Sequence, residues 1–364
     1  MTDTNLNHTP LHQVHIDAGA RMTDFAGWFM PLRYSGDKAE HQAVRERVGM
    51  FDLSHMGQIE VSGPQAADAL DNAMVSAVSR LKNGRARYTM LVAADGGILD
   101  DLIVYRIGEL EFLVIANAAN RTTVLDAITR RSEGFQAAVV DRTPHRALIA
   151  VQGPDAADVI GSVLPVDLEG MRYYSAVVTA MDTIPVLLAR TGYTGEDGFE
   201  LSLPADSAAR AWQRLLEAGG ERLQLCGLAS RDSLRLEAGM PLYGQELGRD
   251  ITPYEAGMGR LVHGDRDFVG ADALAKRALE GPRSHVIALT GEGRRAARAG
   301  YPVLDDGTAV GQVTSGVLSP TLGYPIALAR LSDAYEAGQV LGVDVRGSLQ
   351  SMTVVDRPFY KRPA

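Results

Sequence analysis

One cysteine, Cys226, occurs in 364 residues. No internal disulfide can form, and no CxxC or Cys/His cluster of metal-ligand spacing appears, so the chain fits a reducing compartment or indifference to redox. Long apolar runs are also missing. Stretches such as Phe112–Ala116 and Ile184–Ala189 are far too short to span a bilayer. The N-terminal stretch has no basic start and no apolar run, and it is neither Arg-rich nor Ser-rich. Neither a secretory signal nor a transit peptide is expected, and the expected location is cytoplasmic. Positive charge is in deficit: the formal net charge of −9 argues against broad nucleic-acid binding, which needs basic surface. No GxGxxG or P-loop pattern exists, and strands and helices do not alternate strictly, so a Rossmann sheet is not expected.

What is present is ordinary globular composition, 46% hydrophobic and 22% charged, at a length that calls for two or three domains with cores needing no disulfide or metal staple. Tyr88–Val92 reads as a strand, Ala94-Asp95-Gly96-Gly97 as a turn, Ile98–Arg106 as the next strand and Glu111–Ala116 as its return. Asn117 is placed to cap a helix over Ala119–Arg131 that stops at Gly134. A second hairpin joins Ile184–Thr191 to Phe199–Leu203. Gly192, Gly195 and Gly198 between them imply positive φ or close backbone approach. Asp206 is placed to cap a helix over Ser207–Ala218, and another helix over Leu228–Ala238 closes at Gly239. Gly264–Arg283 reads as a linker with one short helix, and Val286–Tyr360 as an all-β domain of short apolar runs broken by Gly, Pro and Asp.

Several side chains could carry chemistry. Asp100 and Asp101 are neighbours in a strand, so they face opposite ways. Asp101 shares a face with Leu99, Ile103 and Tyr105, and Asp100 with Ile98, Leu102 and Val104. Both faces are otherwise apolar, so the strand is expected to be buried on both sides. A buried carboxylate there would have a raised pKa suited to proton transfer; the bland alternative is an Asp that satisfies turn amides near Gly97. Glu200 faces opposite to Phe199, Leu201 and Leu203, which is also the pattern of a solvent-facing strand residue. Arg231 and Arg235 lie at i, i+4, which equally describes a surface ion-pair face with Asp232 and Glu237. Adjacent residues such as Ser54 and His55 do not orient as a nucleophile–base pair, so a structural or pocket-lining role is expected. Trp28, Tyr173 and Tyr174 read as core or rim. Arg80, Lys82, Arg85 and Arg87 crowd into eight residues, a basic exception in an acidic chain.

Taken together, RMTDFAGWFMPLRY (21–34), HQAVRERVGMFDLSHMG (41–57), GGILDDLIVYR (96–106), AVQGPDA (150–156), RTGYTGEDGFEL (190–201), CGLASRDSLRLEAGMPLYGQEL (226–247) and TSGVLSPTLGYPIALAR (314–330) resemble the aminomethyltransferase, or T-protein, family of the glycine cleavage system. The stretches span nearly the whole chain, in family order. The resemblance implies an α+β, three-domain cloverleaf folate-binding fold with mostly antiparallel sheets and a C-terminal all-β barrel or jelly roll. Its expected parts are a split first domain (1–50 with 142–262), a second domain (51–141), a linker (263–284) and a C-terminal domain (285–364), with 1–262 forming the folate-binding unit.

The resemblance also implies the reaction. An aminomethyl carbon moves from the lipoyl arm of H-protein to tetrahydrofolate, releasing ammonia, 5,10-methylenetetrahydrofolate and the dihydrolipoyl carrier, with no metal, flavin or nicotinamide. Asp101 matches the family's functional Asp. Glu200 has the chemistry to accept the paired N–H donors of a pterin edge. Arg231 matches a folate-contacting Arg, Tyr88 a cavity aromatic, Met56 an apolar wall, and Tyr193 a loop residue over the ring; Asn117 and Arg362 match too, with Tyr360 the alternative to Arg362. Arg80, Lys82, Arg85 and Arg87 are expected to dock the carrier, typically an acidic protein, or else to form a solvated loop. Two rivals share the scaffold. One is a folate-dependent demethylase; the other is a folate-binding iron–sulfur assembly protein, whose Lys-Gly-Cys-Tyr-x-Gly-Gln-Glu signature is replaced here by the cysteine-free Ala238–Glu246 stretch.

Overall fold

The computed structural model describes residues 6–363. In chain order its strands are β1 (Arg21–Phe25), β2 (Trp28–Arg33), β3 (Val48–Asp52), β4 (Gly57–Ser62), β5 (Arg85–Val92), β6 (Ile98–Arg106), β7 (Glu111–Ala116), β8 (Ala138–Asp141), β9 (Arg146–Gln152), β10 (Ser175–Met181), β11 (Ile184–Arg190), β12 (Gly198–Pro204), β13 (Leu223–Leu225), β14 (His285–Gly291), β15 (Pro302–Asp305), β16 (Thr308–Leu318), β17 (Pro325–Leu331), β18 (Val340–Val345) and β19 (Ser348–Val355). The helices are α1 (His12–Asp17), α2 (Asp37–Glu46), α3 (Ala66–Ala73), α4 (Arg121–Arg131), α5 (Ala156–Val163), α6 (Ala208–Gly219), α7 (Leu228–Glu237) and α8 (Ala271–Glu280).

The chain divides into two compact units. Among the described residues, one comprises 6–89, Leu102–Gly192 and Glu196–Arg231; the other comprises Met90–Asp101, Tyr193–Gly195 and 232–363. An eleven-stranded sheet runs in the order β13-β3-β9-β12-β11-β10-β5-β6-β7-β4-β8. Its described pairings are antiparallel, except the short parallel edge β13–β3. In the first unit, α5 and α6 bury Val159, Ile160, Trp212 and Leu215 against Ile149, Val151, Leu188 and Leu201 of the central strands. That apolar burial, at about 25 cal/mol per Å², fixes the register, because a one-residue slip would turn each strand's apolar side outward. In the second unit β14-β17-β16-β15-β18-β19 close into a barrel filled by Leu289, Val303, Val313, Ala329, Val343 and Val354. The expected α+β class with a C-terminal β barrel is therefore found.

Local chemistry explains the ends of several elements. The Ala94–Gly97 turn forms with Gly96 at φ 87°, and the Ala93 N–H reaches the Gly97 carbonyl at 2.8 Å. Helix α7 ends in a Schellman cap: Gly239 takes φ 67°, its N–H bonds the Leu236 carbonyl, and the Met240 N–H bonds that of Arg235. Two expected caps do not form. Asn117 precedes a short 3₁₀ turn, Ala118–Asn120, without a side-chain capping bond, and Asp206 lies inside a 3₁₀ turn so that Ser207 takes the position before α6, also without such a bond. In both places the tight turn delays the helix by one or two residues and moves the capping position away from the anticipated acceptor.

Candidate functional site

In the first unit the chemistry gathers on Glu200. Strand β12 sets Glu200 opposite Ala189 of β11 and Ala150 of β9, and it is only 9% exposed. The solvent-facing alternative is thus excluded. Strand β12 is buried on both faces, since successive residues from Gly198 to Leu203 are all closed off. Its Oε2 accepts hydrogen bonds from the Thr191 hydroxyl at 2.5 Å and the Tyr105 hydroxyl at 3.3 Å, and these two hydroxyls are 3.0 Å apart. Burial and then the charge of Glu200 push the Tyr105 phenol well above its ordinary value, and the same two causes push Tyr174 up to about 12. Both tyrosines are therefore neutral at physiological pH. The result is a carboxylate whose orientation is set by neutral donors.

The glycines around Glu200 act by close approach. A Cβ on Gly192 or Gly198 would lie 2.0 or 2.4 Å from the Gln152 side chain, whose amide donates to the Thr191 carbonyl at 3.0 Å. Gln152 is thereby wedged beneath the loop that delivers Thr191. Gly195 supplies the anticipated positive φ, 84°.

Arg231, Met56, Tyr88 and Asn117 are half-buried in this unit. His55 is buried, its Nδ1 has no partner, and burial holds its imidazole down to about 4, opposed by Asp52 and reinforced by Arg231. Ser54 bonds instead with the Leu148 backbone, so Ser54 and His55 form no nucleophile–base pair. Nearby, Asp52 accepts from Thr9 at 2.6 Å and from His15 at 2.9 Å, tying the N-terminal segment to β3. Cys226 is buried, and burial pushes its thiol well up.

Strand β6 begins in the second unit, and the burial expected on both its sides is found only at its far end, where Tyr105 is closed off. Asp100, Ile98 and Leu102 are closed off, whereas Leu99, Asp101 and Ile103 are half-exposed. Of the two adjacent carboxylates, Asp101 is the more accessible. The Tyr193 hydroxyl donates to the Pro241 carbonyl. Tyr360 is half-buried, with its N–H bonded to the Glu237 carbonyl at 2.8 Å, while Arg362 is exposed.

The surface ion-pair reading of Arg235 holds only in its bond to the exposed Asp232. Its guanidinium is 2% exposed and meets Glu246 at 3.0 Å, Ser315 at 2.8 Å and Asp232 at 2.8 Å. Glu237 is buried and accepts from Ser319 and Thr321 instead. The cause is that α7 is covered on this side by Leu242–Glu246 and by the barrel strands of its own unit.

The basic segment lines a groove. Arg80, Lys82, Arg85 and Arg87, joined by Arg172, border a cavity of 490 Å³ together with Leu81 and Ala86 and with no carboxylate. Arg172 is brought there by the pairing of Ser175 with Arg85. Sequence spacing gave no hint of Arg172, nor of Thr191 and Tyr105 as partners of Glu200, although strand parity already set Tyr105 on the Asp101 face. Among the described residues no group of three or more His, Cys, Asp or Glu side chains is arranged to hold a metal ion.

Comparison with known proteins gives the family. Residues 11–266 match the GCVT N-terminal domain and residues 283–361 the glycine cleavage T-protein C-terminal barrel domain. The chain belongs to the glycine cleavage T-protein family. It is 51% identical to an aminomethyltransferase of Cutibacterium acnes, over 99% of this chain and 100% of that one, and 52% identical to one of Streptomyces coelicolor, over 100% of both. The crystal structure of glycine cleavage system aminomethyltransferase T from Bartonella henselae superposes with a TM-score of 0.92 at 36% identity, covering 98% of this chain and 99% of that one. As a member of this family the chain is an enzyme of the aminomethyltransferase kind. No helix among the described residues is long and apolar enough to cross a membrane.

Proposed function

We propose that this chain transfers the aminomethyl carbon from the lipoyl arm of an H-protein to tetrahydrofolate. The observation that carries the reading is the match to aminomethyltransferases along the whole chain at about half identity. The held carboxylate supports it. With Oε2 oriented by Thr191 and Tyr105, Glu200 is ready to accept the adjacent N–H donors of a pterin edge without reorganisation. Arg231, Tyr88, Met56, Tyr193, Asn117 and Arg362 complete the proposed folate contacts.

The chemistry balances without a redox step. The C–S bond of the aminomethyl thioether breaks and thiolate leaves, giving an iminium carbon that N5 attacks. The C–N bond to the amino group then breaks, ammonia leaves, and N10 closes the ring. The two protons lost from N5 and N10 are those gained by the thiolate and the departing ammonia. Asp101, the accessible member of its pair, is the proposed proton acceptor for N10. Arg80, Lys82, Arg85 and Arg87, extended by Arg172, are the proposed carrier-docking face. A groove of one sign in a chain of net charge −9 draws an acidic partner to that place while the rest of the surface repels it.

A reconstituted assay tests the reading. Purified chain, aminomethyl-loaded lipoyl carrier and tetrahydrofolate should yield methylenetetrahydrofolate and ammonia. No product with the carrier, but product with an N-methylated amine or a sulfonium methyl donor, would make the chain a demethylase.

A further inference from the structure

The segment after α7 is built as a clamp on the start of β6. Its turn, Leu242–Leu247, is compact: Gly244 takes φ 89°, its N–H bonds the Leu247 carbonyl at 2.8 Å, and the Gln245 and Glu246 N–H groups both reach the Leu242 carbonyl at 3.1 Å. The buried Glu246 cinches it, accepting from the Leu242 N–H at 3.0 Å and from Arg235 at 3.0 Å. From this braced turn the Tyr243 hydroxyl donates to the Ile98 carbonyl at 3.2 Å. Two further attachments hold the same stretch. The Ile98 N–H bonds the Ile251 carbonyl at 2.9 Å, and Arg249 grips Asp95 with two bonds of 2.7 and 2.8 Å. A Cβ on Gly97 would lie 2.1 Å from the Arg249 carbonyl oxygen, so this approach requires glycine there. Asp101 follows three residues after Ile98 on the same strand, with its side chain on the half-open face.

We propose that Tyr243 is a positioning residue for Asp101: by pinning the Ile98 carbonyl from a hydrogen-bonded turn, it fixes the direction in which Asp101 is presented. The proposal rests on the reading of Asp101 as the proton acceptor. Burial, and after it the charges of Asp100 and Asp101, push the Tyr243 phenol up, so the hydroxyl stays protonated and remains a donor throughout the working pH range. A group that orients an acid–base residue, without contributing binding, alters turnover and leaves affinity alone.

The test is a double-mutant cycle on the full-length enzyme with aminomethyl-loaded lipoyl carrier. Tyr243→Phe keeps the ring and removes the hydroxyl. Its kcat should fall roughly 5- to 20-fold, while KM for tetrahydrofolate and for carrier stay within about twofold, as expected for a positioning effect. In an Asp101→Asn background the same change should cost less than about twofold, because nothing is left to position. A kcat unchanged by Tyr243→Phe, or a loss that persists in full in the Asp101→Asn background, overturns the proposal. Should Tyr243→Phe unfold, Arg249→Gln loosens the clamp from an exposed position, and the same two comparisons apply to it. If Asp101→Asn turns over normally, the reading of Asp101 falls and takes this proposal with it. A loss in Asp101→Asn with none in Tyr243→Phe overturns the clamp alone.

Discussion

Two adjacent aspartates with the same backbone and opposite faces make the sharpest residue-level comparison. Asp101→Asn should lower kcat by roughly two orders of magnitude, the range for a positioned acid–base group, with tetrahydrofolate binding largely kept. Asp100→Asn, on the closed face, should act on stability instead. Turnover hurt more by the Asp100 change would mean that the wrong carboxylate has been chosen. Glu200→Ala removes the acceptor for the pterin donors and should weaken tetrahydrofolate binding by roughly 2–4 kcal/mol, read by calorimetry; unchanged affinity would return Glu200 to a purely structural role. His55 gives a pH signature. Its folded value, about 4, lies below the ordinary 6.5, so the unfolded chain takes up a proton first as pH falls. Stability is therefore lost progressively from near pH 6.5 down to about 4, by up to about 3 kcal/mol from this group. Urea midpoints across that window should fall less steeply in His55→Asn than in the parent; parallel slopes would remove His55 from the account.

At the scale of elements, sequence reading succeeded where one periodicity acted alone. The hairpin Tyr88–Val92 with Ile98–Arg106 was legible because two strand-forming runs flank a Gly-Gly turn, and α7 because Gly239 marks its end. Residues 21–80 were not legible in the same way: β1 to β4 are short, and although β1 and β2 pair with each other, the partners β7, β8 and β9 of β3 and β4 lie far along the chain. The candidate site was legible as residue types, with Asp101, Glu200 and Arg231 all singled out, but not as an arrangement. Whether the second face of β6 was covered, and whether Arg235 met water or Glu246, depends on which distant segment packs there. Helix α7 carries a prediction of this kind. Arg235→Met strips the buried Glu246 carboxylate of its cation and should destabilise the protein by roughly 3–5 kcal/mol in denaturant unfolding. Adding Glu246→Leu to it should recover part of that loss. No recovery would mean that the Leu242 N–H bond to Glu246, and not the ion pair, dominates.

At the scale of the whole molecule, charge is unevenly spread. A net charge of −9 coexists with a groove bordered by five cations, and burial and the neighbouring Arg80 lower the proton affinity of Arg87 there. Lys82→Glu combined with Arg172→Glu should raise KM for the lipoylated carrier several-fold at low salt and leave tetrahydrofolate affinity unchanged. The difference from the parent should shrink as salt rises, because the Debye length falls from ~10 Å at 0.1 M to ~3 Å at 1 M. A carrier KM indifferent to both changes would move the docking face elsewhere. The buried thiol makes such an encounter directly visible. Since Cys226 is sealed and its thiolate suppressed, maleimide chemistry at neutral pH finds no native target in the folded chain. A cysteine introduced at position 82 would then be the sole site of labelling, and a dye attached there would register each arrival of the carrier without the sequence first being stripped of its own sulfur nucleophile.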